Sequence, residues 1–256
     1  MDISEFKRLN EKEGYARHPW ELARVNVVWN LIRANIKEPQ ATLVDIGSGD
    51  AFVINWLAGK GLAKRYHAID NAFTEEIVMR LAENNPDSKI NFHSSIDAFI
   101  AREGGAGEGL YLCMDVLEHL KDENEILKYF PPDNENKGQK RYFVFTVPAF
   151  QQVFTNHDVL LGHYRRYNRK GFKKLLTNAG FEVVDSGYFF LTLLVLRTIE
   201  KVMLRKKDYS IDNWNGGALK TKLISAVLRA DFWVGRLLGK VGIRIPGLSC
   251  YCICRN

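Results

Sequence analysis

Leu43-Val44-Asp45-Ile46-Gly47-Ser48-Gly49-Asp50-Ala51 is the stretch on which the fold turns: an apolar run of strand length enters a glycine turn that opens a helix-period segment. Glycines at such a turn let the backbone approach a ligand closely, and the start of a helix offers free amides, so a nucleotide-like ligand is expected. The dinucleotide fingerprint G-x-G-x-x-G requires a third glycine at position 52, where Phe52 stands, so a nicotinamide dinucleotide is disfavoured. Asp45 at the strand end would repel a pyrophosphate but could accept from a cationic or hydroxyl-bearing ligand. The expected ligand is therefore a nucleoside without phosphate. Asp70, closing the next apolar run Tyr66-His67-Ala68-Ile69-Asp70-Asn71, is placed to take both hydroxyls of a ribose.

Outward from this stretch, strand-length apolar runs alternate with helix-period segments, as in a parallel sheet wrapped by crossover helices. Strands are predicted near 42–46, 65–69, 89–93, 109–114, 141–147, 181–188 and 248–254, with helices near 51–59, 74–84, 119–129 and 169–179. An amphipathic helix near 20–36 precedes the first strand, and Asn178-Ala179-Gly180 marks a helix end turning into a strand. Two stretches exceed a minimal alternation. Residues 148–168 form a long connection rich in His, Tyr and Arg, the kind of ordered loop that carries function. Residues 189–245 hold two further helical segments, 190–206 and 217–239. The domain reading is a leader or lid over 1–40, a core over 41–188 and 246–256, and a helical cap or membrane-associating insertion over 189–245.

The 256 residues, 46% hydrophobic and 26% charged, exclude disorder and suit one domain with an appended cap. The net charge of +6 is unevenly distributed: residues 161–256 carry 18 basic and 6 acidic side chains, leaving 18 and 24 for the rest. The basic part therefore points to an anionic partner or surface near the C-terminal third. The charged segment Met1–Gly14 lacks the apolar centre of a secretory signal, and Tyr188–Leu196 is too short to span a bilayer. A cytoplasmic location is expected, with the inner face of the membrane left open. Cys250, Cys252 and Cys254 alternate along one strand face in a row that cannot close a zinc site by itself, so they and Cys113 are expected as buried thiols.

Val44-Asp45-Ile46-Gly47-Ser48-Gly49, Asp70 and the segment Met114-Asp115-Val116-Leu117-Glu118-His119 together resemble class I S-adenosylmethionine-dependent methyltransferases. His18-Pro19-Trp20 with Arg24, Thr146-Val147-Pro148-Ala149, His157-Asp158 and Gly162-His163-Tyr164-Arg165-Arg166-Tyr167 resemble a bacterial subgroup with DVLEH and GHYRRY motifs. The resemblance implies an α/β fold with a Rossmann-like seven-stranded sheet, its last strand antiparallel, helices on both faces and a helical insertion before the last strand. It implies S-adenosyl-L-methionine as cofactor and S-adenosyl-L-homocysteine as product, held by Asp45, Gly47, Ser48, Gly49, Asp70, Asn71, Ser95, Ile96, Met114 and Asp115. Trp20, His157, Tyr164, Arg165 and Arg166 then fall on the acceptor side.

Methyl transfer from a sulfonium is an in-line displacement, so the protein aligns the partners and manages the acceptor's proton. A histidine suits a hydroxyl acceptor. His163 is the first choice as base or acceptor ligand and His119, read as opening the helix after strand four, the second. His67 and His93 fall inside strands and read as packing. Glu118 beside His119 raises a metal ion, but adjacent helix residues do not face one point and the sequence places no further acid, so no metal is expected.

The sequence lacks the Asn or Asp followed by Pro-Pro and an aromatic with which amino-methylating DNA enzymes hold a flipped base, which disfavours nucleic acid. In 217–239, Leu219, Leu223, Ile224, Val227, Leu228, Val234 and Leu238 form an apolar face bordered by Lys220, Lys222, Arg229, Arg236 and Lys240. Such a helix can rest on anionic lipid, cap the acceptor pocket or join two copies of the chain as a homodimer. The expected activity is O-methylation of a small or lipid-linked hydroxyl compound: a sugar, phenol or quinone-type precursor. N- or C-methylation, and a non-catalytic nucleoside-binding protein of the same fold, remain as alternatives.

Overall fold

The computed structural model describes residues 17–85, 88–131, 140–202, 214 and 216–256. Its chain order is α1 (Pro19–Asn35), β1 (Gln40–Ile46), α2 (Phe52–Ala58), β2 (Ala63–Ile69), α3 (Glu75–Asn84), β3 (Ile90–His93), α4 (Ile96–Glu103), β4 (Gly109–Met114), α5 (Asn124–Leu127), β5 (Arg141–Pro148), α6 (Asn156–Leu160), α7 (Arg169–Asn178), β6 (Glu182–Phe189), α8 (Leu191–Val202), α9 (Ala218–Lys240) and β7 (Ser249–Arg255). Short 3₁₀ turns at Leu117–His119 and Gln151–Val153 follow β4 and β5.

The seven strands form one sheet in the order β3-β2-β1-β4-β5-β7-β6. Strands β1 to β5 pair in parallel, while β7 runs antiparallel between β5 and β6. Every residue of β4 is buried, which explains why Gly109–Met114 reads as one apolar run without alternation. The strand order reverses between β1 and β4, and in open α/β sheets the crevice beyond the carboxyl ends of such strands receives the ligand.

Each sheet face has its own core. On one, Ala23, Val28, Leu31 and Ile32 of α1 pack with Ile54 and Leu57 of α2, Leu43, Leu110 and Leu112 of the sheet, and Leu228 and Phe232 of α9. On the other lie Phe99 of α4, Phe172 and Leu176 of α7, Phe143, Phe145 and Phe181, and the strand-face row Cys250, Cys252 and Cys254. All four cysteines are buried free thiols; burial raises Cys252 to about 12.

The leading helix starts where its sequence allows. Pro19 occupies the first turn, the His18 ring accepts from the Trp20 amide at 3.4 Å, and Glu21 accepts from the His18 amide at 3.0 Å. Ser225 of α9 donates to the Pro19 carbonyl at 2.8 Å, tying this start to the insertion.

One predicted helix is corrected and one unpredicted helix is added. The helix near 119–129 does not form: a 3₁₀ turn at Leu117–His119 gives way to extended Leu120, and only Asn124–Leu127 is α-helical. Arg165 explains the break, because its guanidinium donates to the carbonyls of Leu120 and Lys121 and so takes acceptors that a helix would use. Conversely α4 has no counterpart in the predicted helices, although Ser95 caps it through the Ala98 amide and Gly104 ends it in the left-handed conformation.

The insertion is helical as expected, and most of the predicted apolar face of its second helix is exposed. In α9 only Ser225, Leu228 and Phe232 are buried, whereas Leu219, Leu223, Val227, Val234 and Leu237 are exposed. Residues 203–206 of the predicted helical segment 190–206 lie outside the described residues. No described helix is long and apolar enough to cross a membrane.

Candidate active site

The glycine turn at the carboxyl end of β1 is held by its neighbour β2: the amides of Gly47 and Ser48 both donate to the Ile69 carbonyl, at 2.8 and 3.1 Å. Gly47 has φ +72°, and a Cβ there would stand 2.4 Å from a Val116 methyl, so the position has room only for glycine. Asp70 closes the turn from the tip of β2, its two oxygens accepting from the amides of Gly49 and Ala72, each at 2.9 Å. The Phe52 amide at the start of α2 donates to Asp50, which narrows the expectation of free amides there.

Three further acids stand at this end of the sheet beside Asp70. Asp45 is 2% exposed and accepts from the Ser48 hydroxyl at 2.9 Å; burial pushes its carboxyl up to about 7, a rise that Ser48 and Arg24 restrain. Asp115 follows β4 with φ +55°, a conformation uncommon outside glycine, and its carboxylate accepts from Thr146 and pairs with Arg24 of α1. Asp50 pairs with Arg17 at 2.8 Å, and that guanidinium lies 3.7 Å over the Phe52 ring. The segment before β1 thus sends two arginines onto the glycine turn. Trp20, against the Arg24 guanidinium, lies at the same end.

The histidines are assembled by the long connection after β5. This connection is ordered by Gln151–Val153, α6 and a bridge between Ala149 and Tyr167. It docks on the turn after β4 through the Tyr164 amide, which donates to the Glu118 carbonyl at 2.8 Å, and through the Tyr167 hydroxyl, which reaches Glu123 and the Leu117 carbonyl. As a result the His119 and His163 rings meet edge to face with centroids 4.6 Å apart.

Asp158, fully buried, organises the loop. Burial alone would raise its carboxyl, but bonds from His163 and Arg166, the Arg166 charge and the Thr155 amide outweigh it and hold the group well below the usual carboxylate range. Its oxygen Oδ1 lies 3.1 Å from His163 Nδ1 and 2.7 Å from Arg166 Nε. An ionised carboxylate only accepts, so His163 donates from Nδ1, and in the neutral ring the lone pair is at Nε2.

Arg165 and Arg166 are committed to the protein itself. Arg165 pairs with Glu123 at 2.7 Å and Arg166 with Asp158, pairings that position the loop. Tyr164 is 51% exposed. The His157 ring is held below its usual value by burial and by Arg197. Ser95 caps α4 and Ile96 and Met114 are buried around the same end, while Asn71 is exposed beyond β2. Glu118, which the sequence reading set aside, is fully buried beside the histidine pair. Its signal was an acidic residue within an otherwise apolar turn after a fully buried strand.

A cavity of about 390 Å³ lies between this connection and α8, lined by Phe150, Gln152, Val153, Leu194, Thr198, Lys201, Val202 and Pro246.

No protein-family model matches the sequence, and no curated protein matches it. The fold is matched by many solved structures. The plantazolicin methyltransferase BpumL in complex with SAH is 14% identical with a TM-score of 0.55, covering 99% of this chain and 89% of that one. The N-methyltransferase NodS from Bradyrhizobium japonicum WM9, in complex with S-adenosyl-L-homocysteine, is 15% identical with a TM-score of 0.51, covering 99% and 96%. The [4+2]-cyclase SpnF is 15% identical with a TM-score of 0.52, covering 95% and 84%. The chain therefore has the Rossmann-like fold of these proteins, methyltransferases and a cyclase among them, so the fold serves more than one reaction.

Proposed function

We propose that this chain is an S-adenosylmethionine-dependent methyltransferase acting on the oxygen of a small or lipid-linked hydroxyl compound. One observation carries the proposal: Asp45, Asp70 and Asp115 stand at the carboxyl ends of β1, β2 and β4 around a turn that admits only glycine at Gly47. That donor set fits a cationic nucleoside. Asp70 is fixed at the tip of β2 by the amides of Gly49 and Ala72, where its carboxylate would meet the ribose diol. Ser95, Ile96 and Met114 would border the base, with Asn71 beside the ribose, and Gly47, Ser48 and Gly49 would back the amino-acid portion. When bound, the cofactor supplies a methyl group activated on a positively charged sulfur.

The chain's own part is alignment and proton management. His163, turned by Asp158 so that Nε2 has a lone pair, accepts the hydroxyl proton when nothing else claims that lone pair, and His119 packs its edge against the same ring. Trp20, His157 and Tyr164 border the acceptor. The 390 Å³ cavity, mostly apolar in its lining, would take the hydrocarbon part of a lipid-linked acceptor. Exposed Leu219, Leu223, Val227 and Val234 with Lys220 and Lys222 suit a peripheral contact with an anionic bilayer, delivering such an acceptor from the cytoplasmic face.

The test is methyl transfer from labelled cofactor into fractionated cell extract. Label entering an organic-soluble or small polar fraction, lost in His163→Ala while S-adenosylhomocysteine still binds, supports the proposal. Cofactor binding without transfer to any fraction would favour a non-catalytic nucleoside-binding protein.

A further inference from the structure

Glu118 is the least satisfied group in the described structure. Its side chain is fully buried, and neither carboxylate oxygen has a hydrogen-bond partner among the described residues. A buried carboxyl left unpaired costs several kcal/mol unless a proton or a cation compensates it. What faces it is a pair of imidazoles: one ligand atom each from Glu118, His119 and His163 lie within 4.8 Å of one another. Donors bound at about 2.0–2.2 Å to a shared ion are at most about 4.4 Å apart, so small side-chain rotations close the set.

The surroundings favour a cation. His163 Nδ1 is bonded to the buried, ionised Asp158, which fixes the ring and directs Nε2 outward, the second carboxylate that metal-bound histidines commonly have. Asp115, three residues before Glu118, adds negative charge, while Arg24 and Arg166, the nearby cations, are engaged by Asp115 and Asp158. Adjacency in the chain does not keep the donors apart here: Glu118 and His119 offer ligand atoms within 4.8 Å of each other, and the third arrives from the docked connection.

We propose that Glu118, His119 and His163 form a binding site for a first-row divalent transition-metal ion with coordination positions left open for the acceptor's oxygen. Two imidazoles and one carboxylate are the donor set that such ions take with sites to spare. The inference deepens the proposed function and rests on it only for the acceptor. In the loaded site the lone pair of His163 meets the ion, the acceptor hydroxyl binds the ion and loses its proton to solvent, and the imidazole is relieved of the base role.

The experiment uses the full chain stripped with a chelator and titrated with Co²⁺ and with Mn²⁺, each alone. One ion per chain is expected, with Co²⁺ absorption and X-ray absorption spectra showing two imidazoles. Glu118→Gln and His163→Ala should weaken binding at least about 30-fold, while His93→Ala, in the other histidine cluster formed by His67, His93 and Glu103, should leave it unchanged. Absence of one-to-one binding by the unmodified chain, spectra without imidazole, or loss in His93→Ala with retention in His163→Ala would overturn the proposal. The spectra decide even if a variant fails to fold. Binding of S-adenosylhomocysteine, measured in parallel, separates the two readings: its retention without metal binding refutes the metal site alone, and metal binding without it refutes the cofactor reading alone.

Discussion

Replacing Gly47 by alanine examines the turn on which the cofactor reading stands. The residue sits at φ +72°, and for an L side chain that conformation costs about 1–2 kcal/mol. The new Cβ would also fall 2.4 Å from Val116 Cγ2, an overlap that the neighbour must relieve at a cost of about 1–3 kcal/mol. Gly47→Ala should thus destabilise by about 2–5 kcal/mol, a large share of the roughly 5–15 kcal/mol of a typical domain. The two contributions can be separated. In a Val116→Ala background the offending methyl is gone and the next contact, with the Val116 Cβ, is an ordinary 3.6 Å, so Gly47→Ala should then cost only the backbone part. Urea unfolding of the four proteins without ligand gives the coupling, expected at about 1–3 kcal/mol. An equal cost of Gly47→Ala in both backgrounds would refute the packing of Val116 over the turn.

Other consequences are separately measurable. Burial holds the His67 ring neutral, lowered from 6.5 to about 4, so the unfolded chain takes up the proton first: stability is full above about pH 6.5 and declines toward pH 4. The ceiling on this contribution is on the order of 3 kcal/mol, and His67→Phe should flatten the slope of unfolding free energy between pH 7 and 5; an unchanged slope contradicts it. Asp70→Asn weakens charge-assisted bonds to the ribose and should raise the Kd for S-adenosylhomocysteine about 10- to 100-fold, with unaltered affinity counting against the ribose assignment. Leu223→Glu with Val227→Glu changes only exposed side chains, so folding stability should stay within about 0.5 kcal/mol each while sedimentation with anionic vesicles falls; equal sedimentation would dismiss this face as the membrane contact.

The parallel core was legible because its strands are buried on both faces and read as unbroken apolar runs, Leu110–Met114 most clearly. The glycine turn was legible because its conformational demand falls on one residue type. What escaped depended on partners distant in sequence. The predicted helix over 119–129 fails because Arg165, more than forty positions along, claims the carbonyls of Leu120 and Lys121. The apolar periodicity of 217–239 identified a helix, yet which stripe is buried depends on where α1 lies, and Leu228 and Phe232 rather than Leu223 and Val234 meet it. Sequence left Arg165 and Arg166 open between an anionic acceptor and pairing within the protein, and in space Glu123 and Asp158 pair with them. The convergence of Glu118, His119 and His163 was illegible for the same reason, since it requires a turn and a loop to dock.

The most direct measurement of the central claim is calorimetric titration of the purified chain with S-adenosylhomocysteine and, separately, with NAD. Saturable binding of one S-adenosylhomocysteine per chain with no heat from NAD is the result expected of a glycine turn ringed by Asp45, Asp70 and Asp115. Binding of NAD without binding of S-adenosylhomocysteine would contradict it.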